Sequence, residues 1–343
     1  MNKIKAAVIG ATGYAGAELV RLLLRHKNVQ INGISSVSFK DQSISDIYNN
    51  FKGEYNEILK SEDEAIKDAD VVFACLPHGL SEPIAKKCFE KNKIFIDLGA
   101  DFRIDDENTY KEWYGKEFNE KELHNYCTYG LCELNKEKIK TSKIIANPGC
   151  YPTSIILGLA PLLKNNLIDT KSIIADSKSG TTGAGRGLSM TTHYPECNES
   201  LSAYKVFSHR HTPEISQELS KLSGETAKIL FTPHLLPINR GILSTVYADF
   251  KENTETDIQK LYEDFYKDCK FVKIMPQGTE ACIKNVTHSN YCHISLHKQE
   301  NKVIIISCID NMIKGAAGQA IQNMNIIFGF DEDEGINMIP SAF

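Results

Sequence analysis

The chain has 343 residues, of which 42% are hydrophobic and 24% charged, and a formal net charge of -5. At about 100–200 residues per domain this is two domains or one large one, with enough chain to bury an ordinary apolar core, which excludes a staple-dependent miniprotein, a fibre and a disordered chain. Lys and Arg are spread along the sequence with no basic tail or aromatic-interleaved basic stripe, so nucleic acid is not an expected partner.

Residues 4–9 (IKAAVI) read as a short strand that stops at Gly10, and residues 18–24 carry apolar side chains at helical spacing. The Gly10-Ala11-Thr12-Gly13-Tyr14-Ala15-Gly16 turn between them places bare amides and a helix N-terminus where a pyrophosphate fits, with no Cβ in the way. Its spacing is GxxGxxG; a tight turn alone is the plain alternative, and its place inside a strand–turn–helix unit favours a dinucleotide. The second strand, 29–34, ends in Ser35-Ser36-Val37-Ser38-Phe39-Lys40, without the Asp or Glu that usually holds NAD ribose hydroxyls. Hydroxyls and one cation suit a 2′-phosphate, so NADP is the expected cofactor.

A third apolar run, 69–76, stops at Pro77-His78-Gly79 before a helical stretch over 81–91, and a fourth run follows at 93–98. Short apolar strands alternating with helices predict a parallel sheet covered on both faces, with ligands at the strands' carboxyl ends. The fold class is therefore α/β: a Rossmann-like nucleotide domain over 1–148 joined by 311–343, and an α+β catalytic and oligomerisation domain with a largely antiparallel sheet over 149–310. No apolar run approaches the roughly 18–20 residues needed to span a bilayer. Glycines, Glu18 and Arg21 break up the apolar start, so the protein reads as cytoplasmic with no membrane anchor. Ten cysteines without a CxxC pair read, for nine of them, as reduced and buried thiols.

The remaining one is Cys150. In Asn147-Pro148-Gly149-Cys150-Tyr151-Pro152-Thr153 a turn delivers a thiol directly before an apolar helix predicted over 153–164, where the helix's positive end and a nearby imidazole would favour thiolate and nucleophilic attack. The alternative is a buried structural cysteine. A strand is predicted over 172–176, followed by a stretch rich in Gly, Ser and Thr. Within it Ser179-Gly180-Thr181-Thr182-Gly183-Ala184-Gly185-Arg186 offers amides, hydroxyls and an arginine to a phosphate or carboxylate, with a flexible linker as the alternative. Ser208-His209-Arg210-His211-Thr212-Pro213-Glu214 packs two imidazoles and a carboxylate before a helix starting near Pro213. Zinc would need two further ligands that no neighbouring motif supplies, and a solvated helix cap is a second alternative; a general acid/base histidine held by Glu214 is the better economy beside a nucleophilic thiol, and no metal is expected. Only six of 39 basic residues are Arg, which grips carboxylate or phosphate with a planar fork, so Arg103, Arg186 and Arg240 each invite a reason. Further strands are predicted over 228–232, 241–250, 292–297 and 303–309, and a last helix over 312–327 opens with Gly315-Ala316-Ala317-Gly318.

Taken in order, GATGYAG (10–16), LPHGLS (76–81), GADFR (99–103), NPGCYPT (147–153), SGTTGAGR (179–186), HRHTPEI (209–215), PHLLPINRGIL (233–243) and KGAAGQA (314–320) resemble the N-acetyl-gamma-glutamyl-phosphate reductases, the arginine-biosynthesis branch of the semialdehyde dehydrogenase superfamily. The resemblance covers essentially the whole chain. It implies NADPH-dependent reductive dephosphorylation of N-acetyl-L-glutamyl 5-phosphate to the 5-semialdehyde through a Cys150 thioester, with His209 as acid/base oriented by His211 and Glu214. By the same resemblance Gly10, Thr12, Gly13, Gly16, Pro77, His78 and Asn311 contact the cofactor, and Tyr14, Ser35, Ser36, Ser38, Lys40 and Ser81 are expected beside them. Arg103, Asn147, Ser179, Gly180, Thr182, Gly183, Arg186 and Arg240 face the acyl-phosphate substrate, and the assembly is a homodimer or homotetramer. Relatives often carry Arg where this chain has Val37, and Lys40 would then serve as the cation. Rival readings are a paralogous reductase of aminoadipyl or aspartyl phosphate, a non-catalytic NADP-binding sensor and a cysteine hydrolase; the last has no use for the glycine turn.

Overall fold

The computed structural model describes residues 3–252 and 255–342. They form two compact units. One comprises the N-terminal segment through Lys111 with Gly115–Pro148 and Ala316–Asn337; the other comprises Glu112–Tyr114, Gly149–Gly315 and the end of the chain from Met338. Residues 311–315, assigned from sequence to the nucleotide domain, lie in the second unit because Asp310 and Asn311 bond to His288, Gly241 and Thr182 there.

The first unit is built on six parallel strands, β1 (Ile4–Ile9), β2 (Val29–Ser35), β3 (Val71–Ala74), β4 (Ile94–Asp97), β5 (Cys127–Tyr129) and β6 (Ile144–Ala146), in the order β2-β1-β3-β4-β6-β5. The middle strands read as unbroken apolar runs because both faces are covered: Ala6–Ile9 and Val71–Ala74 are wholly buried. From β1 the chain steps to one side for β2 and to the other for β3, so the carboxyl end of β1 is the point where the order reverses and a crevice opens. The three-residue strands β5 and β6 were not separable from loop in the sequence, being too short to show a period. The Gly318–Phe328 helix belongs here: Gln319 and Asn323 both donate to the Gly130 carbonyl, and His26 Nε2 lies 2.8 Å from Asn325 Oδ1.

The second unit holds seven strands, β7 (Ile174–Gly180), β8 (Ser202–Ala203), β9 (Leu230–Leu236), β10 (Ile242–Asp249), β11 (Val272–Ile274), β12 (Cys292–Gln299) and β13 (Lys302–Ile309), ordered β11-β12-β13-β10-β7-β9-β8. Neighbours are antiparallel except β7 with β9 and β11 with β12. Alternation along β10 buries Ile242, Ser244, Val246 and Ala248 under the Cys150–Lys164 helix and leaves Tyr247 exposed on the opposite face. That helix is buried from Tyr151 to Leu163, which is why it is apolar all round rather than on one stripe. The Ile258–Tyr266 helix, unpredicted from sequence, ties to it through Tyr262 and Tyr266 hydroxyls on the Gly158 and Leu157 carbonyls. The last predicted helix divides in two: Ile313–Ala317 is a π-helical turn, and regular α-helix begins only at Gly318.

β2 approaches the Glu62–Ile66 helix at Gly33, where a Cβ would lie 2.6 Å from Ala65 Cα and 2.8 Å from its carbonyl oxygen. Because the obstacle is backbone, Gly33→Ala is expected to lower stability by about 1–3 kcal/mol, read as a reduced Tm with unchanged far-UV circular dichroism; an unchanged Tm would show that β2 and this helix can separate at no cost.

Candidate active site

At the carboxyl end of β1 the glycine turn is shaped by close backbone approach. A Cβ at Gly10, whose φ is +78°, would run into the Cys75 carbonyl at the end of β3, and one at Gly16 would strike the Gly10 carbonyl and come within 2.8 Å of Ala11 Cα. Gly13 faces open space apart from Gly10 O at 3.5 Å and begins the Tyr14–Leu23 helix, whose N-terminus no side chain caps and whose first turn holds no acidic residue. Uncapped amides beside a Cβ-free surface fit a dinucleotide pyrophosphate. The turn is braced by Thr12 Oγ1 against Ser36 Oγ at 2.7 Å, by the Gly10 and Ala11 amides on the Ser35 carbonyl, and by Tyr48 donating to the Thr12 carbonyl. Ser35 and Ser36 are buried and act within this brace, whereas Ser38 and Lys40 are exposed past the end of β2 beside Val37.

A second loop, after β3, carries Pro77, His78 and Ser81 and is held from below by two buried carboxylates. Asp101 accepts the amides of Gly79 (2.5 Å) and Ser81 (2.8 Å) and the Tyr110 hydroxyl (2.8 Å). Asp97, at the end of β4, accepts the Ser81 hydroxyl and the Gly99 amide. Burial, with the Asp101 charge close by, pushes the Asp97 carboxyl up to about 7. Ser81 thus serves the loop's shape, and Lys116, whose ammonium sits over Gly79 and lies 3.4 Å from the His78 carbonyl, adds a cation that the sequence did not single out.

The second unit assembles a cluster around Cys150. Cys150 is half-buried at the first position of its helix, which begins after Gly149 with no side-chain cap and no acidic residue in its first turn, a field that favours thiolate. Elsewhere burial pushes the thiols of Cys75 and Cys308 up and that of Cys88 up to about 12, so these stay protonated. Glu214, completely buried, accepts the Gly149 amide on Oε1 at 2.8 Å and His211 Nδ1 on Oε2 at 2.8 Å. The His211 ring lies directly against Gly149, where any Cβ would collide with it. An ionised carboxylate only accepts, so Nδ1 of His211 carries the proton and Nε2 is the atom left to exchange one.

His209 is differently placed. Its Nδ1 accepts the His211 amide at 3.2 Å, so its Nε2 bears the hydrogen and points at the Tyr204 hydroxyl, 3.4 Å away; Tyr204 donates to the Tyr151 hydroxyl, and Tyr151 to the His234 carbonyl. Burial, and then the neighbouring His211, push His209 down to about 2, and it stays neutral.

Two further loops of the second unit are tied to each other. The Gly180, Thr181 and Thr182 amides bond the carbonyls of Gly241, Ile238 and Asn239, and the Thr182 hydroxyl donates to Asn239 while accepting from Asn311, which also holds the Gly241 amide. Arg240 Nη1 lies 3.6 Å from buried Asp310. Among the described residues no group of three or more His, Cys, Asp or Glu stands ready for a metal, and no helix is long and apolar enough to cross a membrane.

Residues 5–142 match the family model "Semialdehyde dehydrogenase, NAD binding domain", and residues 150–311 match "Semialdehyde dehydrogenase, dimerisation domain". The chain is 60% identical over 343 residues to the N-acetyl-gamma-glutamyl-phosphate reductase of Clostridium botulinum (strain Eklund 17B / Type B), covering 99% of this chain and 100% of that one. The chain belongs to the semialdehyde dehydrogenase family. Within it, the N-acetyl-gamma-glutamyl-phosphate reductase of Brachyspira hyodysenteriae is 56% identical over 351 residues, again with 99% and 100% coverage. Aspartate semialdehyde dehydrogenase II of Vibrio cholerae, solved in complex with ASA, shares the fold with a TM-score of 0.73 at 14% identity, over 96% of this chain and 99% of that one.

Several residues expected to face ligands in this semialdehyde dehydrogenase are occupied otherwise. Asn147 is buried, with its amide on the Ala316 carbonyl and its oxygen taken by Asn323, because it terminates β6 inside the sheet's end. Arg103 donates to the carbonyls of Asn147 and Leu98, holding that strand end in place. The expected anion nest at Gly180 and Thr182 is not formed, since β7 runs on through Gly180 and its amides enter bonds with the 238–241 loop. Asn311 precedes the last helix and braces that same pair of loops. Ser179 is buried, while Gly183 and Arg186 open an exposed stretch. The glycine turn offers a direct test: Gly16→Ala places a methyl against the Gly10 carbonyl and is expected to weaken dinucleotide binding by about tenfold or more, as a missing contact of about 1.4 kcal/mol would, in a fluorescence titration; unchanged affinity would dissociate the turn from the cofactor.

Proposed function

We infer that the chain catalyses the N-acetyl-gamma-glutamyl-phosphate reductase reaction of arginine biosynthesis, converting N-acetyl-L-glutamyl 5-phosphate to the 5-semialdehyde and phosphate. Full-length identity to reductases of that name supports it, and the observation that carries the mechanism is one buried carboxylate binding both the backbone before Cys150 and the His211 ring. Cys150 attacks the acyl carbon, the bond from that carbon to phosphate oxygen breaks, and phosphate leaves a thioester. A nicotinamide dinucleotide on the glycine turn, when bound, supplies the hydride. His211, with Nδ1 fixed by Glu214, takes the Cys150 thiol proton on Nε2 at the attack, gives it to the carbonyl oxygen as the thiohemiacetal forms and takes it back as the aldehyde departs and the thiolate is restored. The acid/base role expected of His209 passes to His211, because Glu214 bonds His211 and because burial keeps His209 neutral. His209 instead holds the His211 backbone.

Arg240, steadied by Asp310, is the arginine we assign to the substrate carboxylate. NADP is the dinucleotide, since the exposed end of β2 offers Ser38 and Lys40 to a 2′-phosphate. The enzyme acts in the cytoplasm as a homodimer or homotetramer. Support for the assembly comes from the dimerisation-domain match and from a groove of about 700 Å³ on the sheet face away from the helices, lined by Ile174, Phe207, Leu230, Tyr247 and Ile304.

In the reverse direction the enzyme should reduce NADP with N-acetylglutamate semialdehyde only when inorganic phosphate is present; oxidation without phosphate would mean a hydrolytic aldehyde dehydrogenase. Cys150→Ala should abolish this turnover and still bind NADPH. His211→Asn should lower kcat by about 10²–10⁴-fold. His209→Asn should lower it by less than about tenfold, and a loss in that variant as large as in His211→Asn would return the proton transfer to His209.

A further inference from the structure

Asp310 sits just past β13, completely buried, and its carboxylate is shared among three parts of the second unit. Oδ1 accepts the amides of Met312 (2.7 Å) and Ile313 (3.1 Å), which open the π-helical turn. Oδ2 accepts the amide of His288 (2.7 Å), a residue held at φ +64°, and lies 3.6 Å from Arg240 Nη1. The Asp310 carbonyl accepts the Gly315 amide at 2.9 Å, and Gly315 packs on the nucleophile so tightly that a Cβ there would stand 2.7 Å from Cys150 Cβ. π-Helical turns of this kind recur at functional sites, where the extra residue re-aims a neighbour.

We propose that Asp310 is a positioning residue that sets Arg240 and Cys150 in one frame, so that the substrate's carboxylate, once gripped, presents the acyl carbon to the thiol. The proposal rests on the assignment of Arg240 to the substrate carboxylate. A carboxylate is needed because both ends must accept: an asparagine has one accepting end and one donating end, and the donating end would face either two amides or an amide and a guanidinium. Asp310 touches neither substrate nor cofactor, and its effect is confined to where Arg240 and the π-helical turn stand.

The test compares Asp310→Asn, Arg240→Ala and the double variant by steady-state kinetics in the phosphate-dependent oxidation of N-acetylglutamate semialdehyde, with the NADP dissociation constant measured separately by fluorescence. Arg240→Ala is expected to raise the semialdehyde KM by about 10–100-fold and Asp310→Asn by about tenfold, the scale of one charge-assisted contact. The double variant's semialdehyde KM should be no higher than that of Arg240→Ala alone, and NADP affinity should stay within about twofold throughout. A raised KM in Arg240→Ala with an unchanged KM in Asp310→Asn overturns the proposal and leaves the Arg240 assignment standing. An unchanged KM in Arg240→Ala removes that assignment and the proposal with it. If Asp310→Asn does not fold, Asp310→Glu, which keeps the charge and both acceptors but shifts them by one methylene, is expected to raise the semialdehyde KM alone; an unchanged KM there overturns the proposal equally.

Discussion

The arrangement around Cys150 depends on one buried carboxylate. Glu214 joins two parts of the site: one oxygen holds the Gly149 amide, the other the His211 ring. The Cys150 helix and the His211 side chain are therefore registered to the same rigid group, and the tautomer that leaves Nε2 free is imposed by the same bond. Removing that charge releases the ring and the helix N-terminus together. This explains why Gly149 must lack a side chain, since the imidazole occupies the space where a Cβ would stand.

His209, two residues from His211, meets different surroundings. Its Nδ1 is instead engaged by a backbone amide and its Nε2 directed into a line of tyrosine hydroxyls that ends on a backbone carbonyl. Burial without a carboxylate partner makes the charged form costly, whereas His211 has Glu214 beside it. Two imidazoles two residues apart thus stand in opposite electrostatic settings because of what each ring meets.

The first unit follows the same logic with backbone in place of imidazole. Its glycine turn is narrow because β1 and β3 run close enough for Gly10 to lie on the Cys75 carbonyl, and its second loop keeps its shape because Asp101 gathers two amides and a tyrosine hydroxyl. Both loops are therefore braced by the protein's own hydrogen bonds, which limits the ordering cost of binding.

Much of this was legible in the chain itself. Apolar runs of four to six residues broken by glycine and proline indicated a parallel sheet; GATGYAG marked the dinucleotide turn, and NPGCYPT marked a thiol at a helix N-terminus, because these signals are local and depend on backbone geometry that only certain residues allow. What the sequence left open was which polar group meets which. HRHTPE lists two histidines and a glutamate without saying that the glutamate, three residues on and one helical turn round, lies under the second. SGTTGAGR reads as a nest of free amides until β7 is seen to run through Gly180 beside the 238–241 loop, and Asn147 reads as a substrate contact until Asn323, 176 residues away, takes its side chain. Hydrogen-bond partnership between distant segments is decided by packing, and no local pattern encodes it.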